Sequence, residues 1–425
     1  MVEIRPIIGY YPAMIYRHIT PVILEALSDN PVVLINGARQ TGKSTISQWI
    51  GKESHTARYL TFDDATVLAA AKTDPAKFLT GIEGNVILDE IQRVPEIFSA
   101  IKVAVDRDRR PGRFLLTGSA NILLLPNLSE SLAGRMEIIT LWPFSQSEIE
   151  GTRDNFVDHA FENKHLSLLE DKGDRKKLIR KICYGGYPEI LKRAKATRRS
   201  AWFESYITTI LQRDVRDIAN IQGLTDMPKL LSLLAARTAS LLNFAELSRS
   251  SGMSQTTLKR YMTLLQATYM VNLVPAWSGN LGKRLVKSPK CFLNDVGLAA
   301  HLTGVSENRM QNDPHVMGPF LEQFVVLELL KQSTWSTTQP RAFHFRSQAG
   351  QEVDIILEDP RGRIVGIEVK ASQSLNKKDF AGLQTLQTIL KEPFHRGIIL
   401  YTGTENITFG ENLHAIPIHA LWQTQ

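Results

Sequence analysis

Cysteine is almost missing from this 425-residue chain: Cys183 and Cys291 are its two, far apart. That excludes a disulfide framework and any cysteine-based zinc spacing. Long apolar runs are missing too. None approaches the ~20 residues a membrane span needs. The N-terminal stretch MVEIRPIIGYYPAMIYRHIT is broken by charges and prolines where a signal peptide would carry its apolar core. There is no fixed-period repeat and no low-complexity tract. Hydrophobic residues make up 43% and charged residues 22%, an ordinary globular composition that excludes wholesale disorder. The expectation is a cytoplasmic protein without membrane contact. Positive charge is in modest excess, 50 Lys and Arg against 43 Asp and Glu, which favours an anionic partner.

At ~150 residues per domain, the length calls for two to four domains. Residues 1–150 alternate β-branched runs (PVVLING, ARYLTFDD, NVILDE, RFLLTGS, EIITLWP) with amphipathic stretches, as in a parallel sheet covered on both faces. Residues 151–225 turn helical and basic. Residues 226–305 hold two short helical patterns, a tight turn and a hairpin pattern. Residues 306–425 return to mixed α/β with strands AFHFRS, EVDIILED, RIVGIEVK and RGIILYT.

The strongest motif is GARQTGKST, Gly37 to Thr45, after the apolar run VVLI and before a helical pattern. It fits G-x-x-x-x-G-K-[ST] in the strand–loop–helix setting that the chemistry requires. Gly37, Gln40, Thr41, Gly42 and Thr45 belong to a loop whose backbone N–H groups turn around a phosphate at a helix N-terminus. Lys43 supplies charge to the β- and γ-phosphates, and Ser44 a hydroxyl for Mg²⁺. NVILDE then places Asp89, 46 residues after Lys43, beside that Mg²⁺ and Glu90 where an attacking water would lie. RFLLTGSAN reads as a further strand. Its Ser119 or Asn121 senses the γ-phosphate or positions water, or else caps a helix. Arg135, in ESLAGRMEI, is the candidate for the cation that stabilises the transition state, commonly from a neighbouring subunit; a plain surface arginine is the alternative. Asp63 and Asp64 fit either the metal's outer shell or a solvated turn.

Between Lys172 and Arg216 stand thirteen basic residues against four acidic, Arg198 and Arg199 among them. This is a phosphate-contacting face or a solvated lid. In LLNFAELSRSSGMSQTTLKRYMTLLQATYM, a short helix leads through Ser251-Gly252 to a second helix. Ser254 is its N-cap, and Leu258, Tyr261, Leu264 and Leu265 form its inward stripe. Gln255, Thr256, Lys259 and Arg260 then face outward, as on a recognition helix. A hairpin turning at Gly279-Asn280 and carrying Lys283, Arg284 and Lys287 completes the order of a winged helix-turn-helix. Leu247 to Asn294 holds seven basic residues and no acidic one, the footprint expected for nucleic acid, mainly through backbone phosphates.

A third constellation is Glu322 on an amphipathic helix, Asp354 in EVDIILED, and Glu368 with Lys370 in RIVGIEVK. Glu368 and Lys370 share one strand face, and strand register would bring Asp354 alongside. Converging carboxylates make a Mg²⁺ site, and an adjacent lysine orients water for phosphodiester hydrolysis. This is the order of a PD-(D/E)XK nuclease fold, with an exposed ion pair as the alternative reading of Glu-x-Lys.

The stretches INGARQTGKST, VILDEIQRVP, LLTGSAN, SLAGR, GGYPE, FLNDVGLAAHLTG, LEQFVVLELL, EVDIILE and IEVKAS together resemble the prokaryotic AAA-family ATPases that carry a C-terminal domain of PD-(D/E)XK character. The resemblance implies an α/β fold with three parts. These are a P-loop, AAA+-like parallel-sheet core, a helical and winged-helix middle, and a restriction-endonuclease-like α/β domain. It implies ATP and Mg²⁺ as ligands, with Lys43, Asp89 and Glu90 in nucleotide roles. It also implies a homo-oligomer, commonly a ring and expected as a hexamer, with an arginine such as Arg135 acting across subunits. The sequence lacks a clear sensor-2 arginine motif after the core. The expected function is an ATP-hydrolysing machine that translocates on or remodels DNA. An ATP-gated DNA nuclease and a protein-directed switch are the alternatives.

Overall fold

The computed structural model describes residues 14–119, 132, 134–153, 155–162, 174–215, 225–347 and 349–423. The first unit is a parallel sheet of β1 (Val32–Asn36), β2 (Arg58–Thr61), β3 (Val86–Asp89), β4 (Phe114–Gly118) and β5 (Met136–Thr140), in the order β2-β3-β4-β1-β5. β1, β3 and β4 are buried throughout, as near-continuous apolar runs covered on both faces must be. One face packs Leu34, Leu88 and Leu116 against Phe98 and Ile101; the other packs Ile35, Ile87 and Leu115 against Ile23 and Ile46. β4 lies between the strand that ends in the P-loop and the strand that ends in Asp89, so Thr117 reaches both.

The middle of the chain is helical and includes a two-stranded antiparallel ribbon of β6 (Val271–Val274) and β7 (Lys290–Leu293). The last unit is a six-stranded sheet of β8 (Arg341–Arg346), β9 (Glu352–Glu358), β10 (Ile364–Lys370), β11 (Phe394–Tyr401), β12 (Ile407–Thr408) and β13 (Leu413–Pro417), ordered β12-β13-β11-β10-β9-β8. One face buries Val353, Ile356 and Ile399 under Leu383 and Leu386 of the helix Ala381–Leu390. The other face joins the long helix Pro314–Ser333 and the helical middle in one continuous core running from Phe156 to Trp422. Middle and C-terminal parts therefore share their hydrophobic interior. Among the described residues no helix is long and apolar enough to cross a membrane.

Candidate functional site

The loop after β1 is built by its glycines. Gly37 sits at φ +138°, and a Cβ there would stand 2.3 Å from Leu141 O, a position open to glycine alone. Gly42, at φ +95°, turns the chain into the helix Lys43–Glu53, whose N-terminus favours anions. Lys43 is 6% exposed, and its Nζ donates to Gly37 O at 3.0 Å and Ala38 O at 2.8 Å. Thr41 Oγ1 closes the same loop by donating to Ala38 O. Arg17 braces it from the N-terminal segment, donating to Thr41 O at 2.8 Å and Trp142 O at 2.6 Å and pairing with the buried Glu148 at 3.0 Å. Sequence reasoning passed over Arg17, because nothing local distinguishes it.

Asp89 and Glu90 leave β3 in different directions. Ser44 Oγ donates to Asp89 Oδ1 at 2.9 Å, and Tyr59 OH donates to Asp89 Oδ2 at 2.7 Å. Thr117 also donates to Asp89 Oδ1. Burial, with Asp89 beside it, pushes the Tyr59 phenol up to about 12, so it remains a donor at neutral pH. Ser44 and Asp89 thus bring a hydroxyl and a carboxylate to one point, the oxygen donors that suit Mg²⁺. Glu90 adopts φ 60°, ψ 46°, a left-handed conformation that costs a non-glycine residue roughly 1–3 kcal/mol and gathers at functional sites. Gln92 is the partner the sequence did not single out. Its Nε2 donates to Glu90 Oε2 and, at 2.9 Å, to Ser119 Oγ, while its Oε1 accepts from Ser119 N. Ser119 is therefore tied to Glu90 through the Gln92 amide.

Lys43, Ser44 and Glu90 open on a cleft of about 860 Å³ lined also by Arg17, Gln40, Thr41, Gly42 and Thr45, with Glu189 and Lys192 lining it from the helical middle. Asp63 also lines it and pairs with Arg93, while Asp64 caps the helix Ala65–Thr73 through Thr66 and Val67. Asn121 lies outside the described residues. Arg135 precedes β5 beside the start of β1, at the end of the strands away from the P-loop, and pairs with Asp106 at 2.7 Å. It is not among the residues that line this cleft.

The wall bearing Glu189 is anchored by a buried polar junction. Gly186 N donates to Asp295 Oδ2 at 2.7 Å, and Gly186 O accepts from Phe144 N at 2.8 Å. A Cβ on Gly185 or Gly186 would strike Asp295 or Phe144 O, which explains the glycine pair of GGYPE. Phe144 O in turn accepts from Lys331 Nζ at 2.9 Å, and Gln146 N donates to Glu328 at 2.8 Å. One helix thus touches the nucleotide unit with Glu328 and Lys331 and carries Glu322 about two turns earlier.

The two helices Phe244–Ser251 and Gln255–Ala267 are joined through Gly252 at φ +79°, and Ser254 Oγ accepts from Thr257 N as N-cap. Leu258, Tyr261, Leu264 and Leu265 are buried, and Gln255, Thr256, Lys259 and Arg260 are exposed, as the 3.6-residue period predicts. Two neighbouring expectations need correction. Arg199 is buried, donating to Arg193 O and Ala194 O and lying over the Tyr184 ring at 3.7 Å, so it is packing, not surface charge. Arg198 beside it is exposed.

The ribbon β6–β7 forms, but no tight turn at Gly279-Asn280 closes it. Its strands are joined through a long connection that includes the short helix Leu281–Val286. The reason is that this connection has its own partner. Trp277 packs into the C-terminal core, and Arg284 makes a bidentate pair with Glu358 at 2.6 and 2.9 Å. Arg284 is thereby withdrawn from any DNA face; Lys287 stays exposed, and the Lys283 side chain lies outside the described residues.

In the C-terminal sheet the expected carboxylates do converge. Val369 N donates to Asp354 Oδ2 at 2.9 Å, and Lys370 Nζ pairs with Glu368 at 2.9 Å. The arrangement differs from the expectation because Lys290, the first residue of β7, joins it. Lys290 is 3% exposed, and its Nζ lies 2.6 Å from Glu322 and 3.3 Å from Asp354. Burial, then the charge of Asp354, pushes the Glu322 and Glu368 carboxyls upward. Burial pulls Lys290 down, but Glu322 and Asp354 more than offset it, so its net shift is upward. Among the described residues, no group of three or more His, Cys, Asp or Glu side chains is set to hold a metal ion.

Residues 29–150 match a family described as an AAA domain, and residues 175–309 and 317–421 match two domains of unknown function, DUF8612 and DUF4143. The uncharacterized protein Rv2008c of Mycobacterium tuberculosis is 31% identical over 406 residues, which cover 94% of this chain and 82% of that protein. The uncharacterized protein MJ1544 of Methanocaldococcus jannaschii is 23% identical over 412 residues, 93% of this chain and 88% of that one. Among solved structures, a RuvB Holliday junction branch migration motor of Thermotoga maritima aligns with 60% of this chain and 87% of its own at 20% identity, with a TM-score of 0.30, too low to bear on function. The chain belongs to the same family as the mycobacterial protein, here an AAA domain of P-loop geometry followed by two domains of unknown function.

Proposed function

We propose that this chain hydrolyses ATP at its P-loop and uses the turnover to move or remodel bound DNA. One observation supports the hydrolytic half: Lys43, Ser44 and Glu90 line a single cleft, with Asp89 bonded to Ser44 and Gln92 and Ser119 bonded in turn behind Glu90. Lys43 and the loop amides would hold the β- and γ-phosphates. Ser44 and Asp89 would hold Mg²⁺, which when bound neutralises charge on the phosphate oxygens. Glu90 accepts the proton of the attacking water, and Gln92 fixes the carboxylate that receives it. Arg135, at the end of the strands away from its own P-loop, would in this reading serve a neighbouring subunit's cleft in a ring, expected as a hexamer.

The DNA half is supported by the exposed face Gln255, Thr256, Lys259 and Arg260 on a helix that follows a tight Gly252 turn, within a stretch free of acidic residues. Arg198 and Lys287 are exposed too and would add phosphate contacts in this reading. Contacts of this kind go mostly to phosphates, so they show as salt dependence. The Lys259→Ala/Arg260→Ala double variant is expected to weaken duplex binding about tenfold and to lower the log–log salt slope by about 2, measured by fluorescence anisotropy. Unchanged affinity and slope would move the DNA surface elsewhere or remove it.

A further inference from the structure

The D…E-x-K order of the C-terminal sheet implies a divalent cation between Glu322, Asp354 and Glu368. The side chains present do not fit one. The place between Glu322 and Asp354 is taken by the Lys290 ammonium, 2.6 Å from one and 3.3 Å from the other. Lys290 is 3% exposed and comes from β7, outside the sheet that supplies the carboxylates. A divalent ion in the same place would sit against a buried ammonium, a repulsion that low-dielectric surroundings enlarge. Asp354 spends its other oxygen on Val369 N at 2.9 Å, and Glu368 spends one on Lys370.

We infer that Glu322, Asp354 and Glu368 form, with Lys290 and Lys370, a metal-independent ionic joint that fastens the β6–β7 ribbon to the C-terminal sheet. Two ammonium groups face three carboxylates, which leaves one negative charge over. Burial pushes the Glu322 and Glu368 carboxyls toward the protonated form, and Glu368 Oε2, buried without a partner, is where one proton completes the balance without an ion from solution. A second fastening lies beside the first. Arg284 grips Glu358 through both carboxylate oxygens, Trp277 Nε1 donates to Glu358 Oε1 at 3.3 Å, and Trp277 N donates to His344 O. His344 is also tied to Ser288 O at 3.0 Å. Four residues of the connection and ribbon, Trp277, Arg284, Ser288 and Lys290, thus hold β8 and β9 or the helix carrying Glu322. The helix-turn-helix and the C-terminal sheet then move as one body, and the sheet does not cut DNA by metal catalysis.

The test titrates Mn²⁺ into nucleotide-free, full-length protein and counts bound ion by electron paramagnetic resonance, for wild type and Asp354→Asn. The joint predicts the same Mn²⁺ count in both. One equivalent held by wild type and lost in Asp354→Asn overturns it. Thermal unfolding in chelator supplies the second readout. Lys290→Met is expected to lower the midpoint by at least about 5 °C, because two buried carboxylates lose their cation. Adding Glu322→Gln to that variant is expected to restore part of the loss. A Lys290→Met protein as stable as wild type contradicts the joint. Should Lys290→Met not fold, the Mn²⁺ comparison decides alone.

Discussion

Glu90→Gln is expected to lower ATP turnover by ~10²–10⁴-fold, the usual contribution of a positioned base, while ATP still binds within a few-fold of wild type. Lys43→Ala should instead lose binding itself, because the loop then offers the phosphates no ammonium. The contrast follows from where the two groups sit. Lys43 lies inside the loop, bonded to Gly37 O and Ala38 O, whereas Glu90 stands across the cleft in a left-handed backbone conformation that Gln92 and Thr117 help to hold. Glutamine keeps that geometry and cannot take a proton. Gln92→Ala, which frees the Glu90 carboxylate without removing it, should fall between wild type and Glu90→Gln. Equilibrium binding of a fluorescent ATP analogue and steady-state phosphate release separate the cases. Full turnover in Glu90→Gln would remove Glu90 from its role.

Lys331→Met should cost about 3–5 kcal/mol of stability, the loss typical when one partner of a buried ion pair is deleted. Glu328, 1% exposed at its side chain, would keep its bond from Gln146 N and lose the ammonium at 2.7 Å. Phe144 O would lose a donor as well, and Phe144 N bonds the Gly186 peptide near the nucleotide wall. The loss is therefore expected to reach the cleft and weaken ATP binding as well as folding. Replacing both residues in Lys331→Met/Glu328→Met should recover much of the stability, since two apolar side chains leave no charge buried. Denaturant titration measures both variants. An unaltered midpoint for Lys331→Met would show that the junction contributes little.

What could be read from the sequence follows from the range of the interactions involved. The P-loop is local: glycines, lysine and hydroxyl act within nine residues, so GARQTGKST announces itself. The inward stripe of Gln255–Ala267 is equally local, since a 3.6-residue period needs no partner to be seen. Gln92 and Arg17 escaped because their roles exist only across strands and segments brought together by folding. Arg199 was misread for a related reason. Counting charges cannot show that a guanidinium has folded back onto the carbonyls of residues 193 and 194. Gly279-Asn280 carries the turn chemistry of a tight hairpin, yet Trp277 and Arg284 find better partners on the C-terminal sheet than a free hairpin offers. Lys290 is the most instructive miss. In sequence it is one lysine among seven basic residues; in the fold it enters the carboxylate group and changes what that group can do.

The measurement that bears most directly on the whole account is the ATPase rate with and without single-stranded, duplex and four-way-branched DNA, in Mg²⁺, at low and moderate salt. Several-fold stimulation that fades as salt rises is expected, with turnover of Lys43→Ala and Glu90→Gln staying far below wild type under every condition. Normal basal hydrolysis that no nucleic acid stimulates would contradict it and turn the reading to a switch acting on a protein.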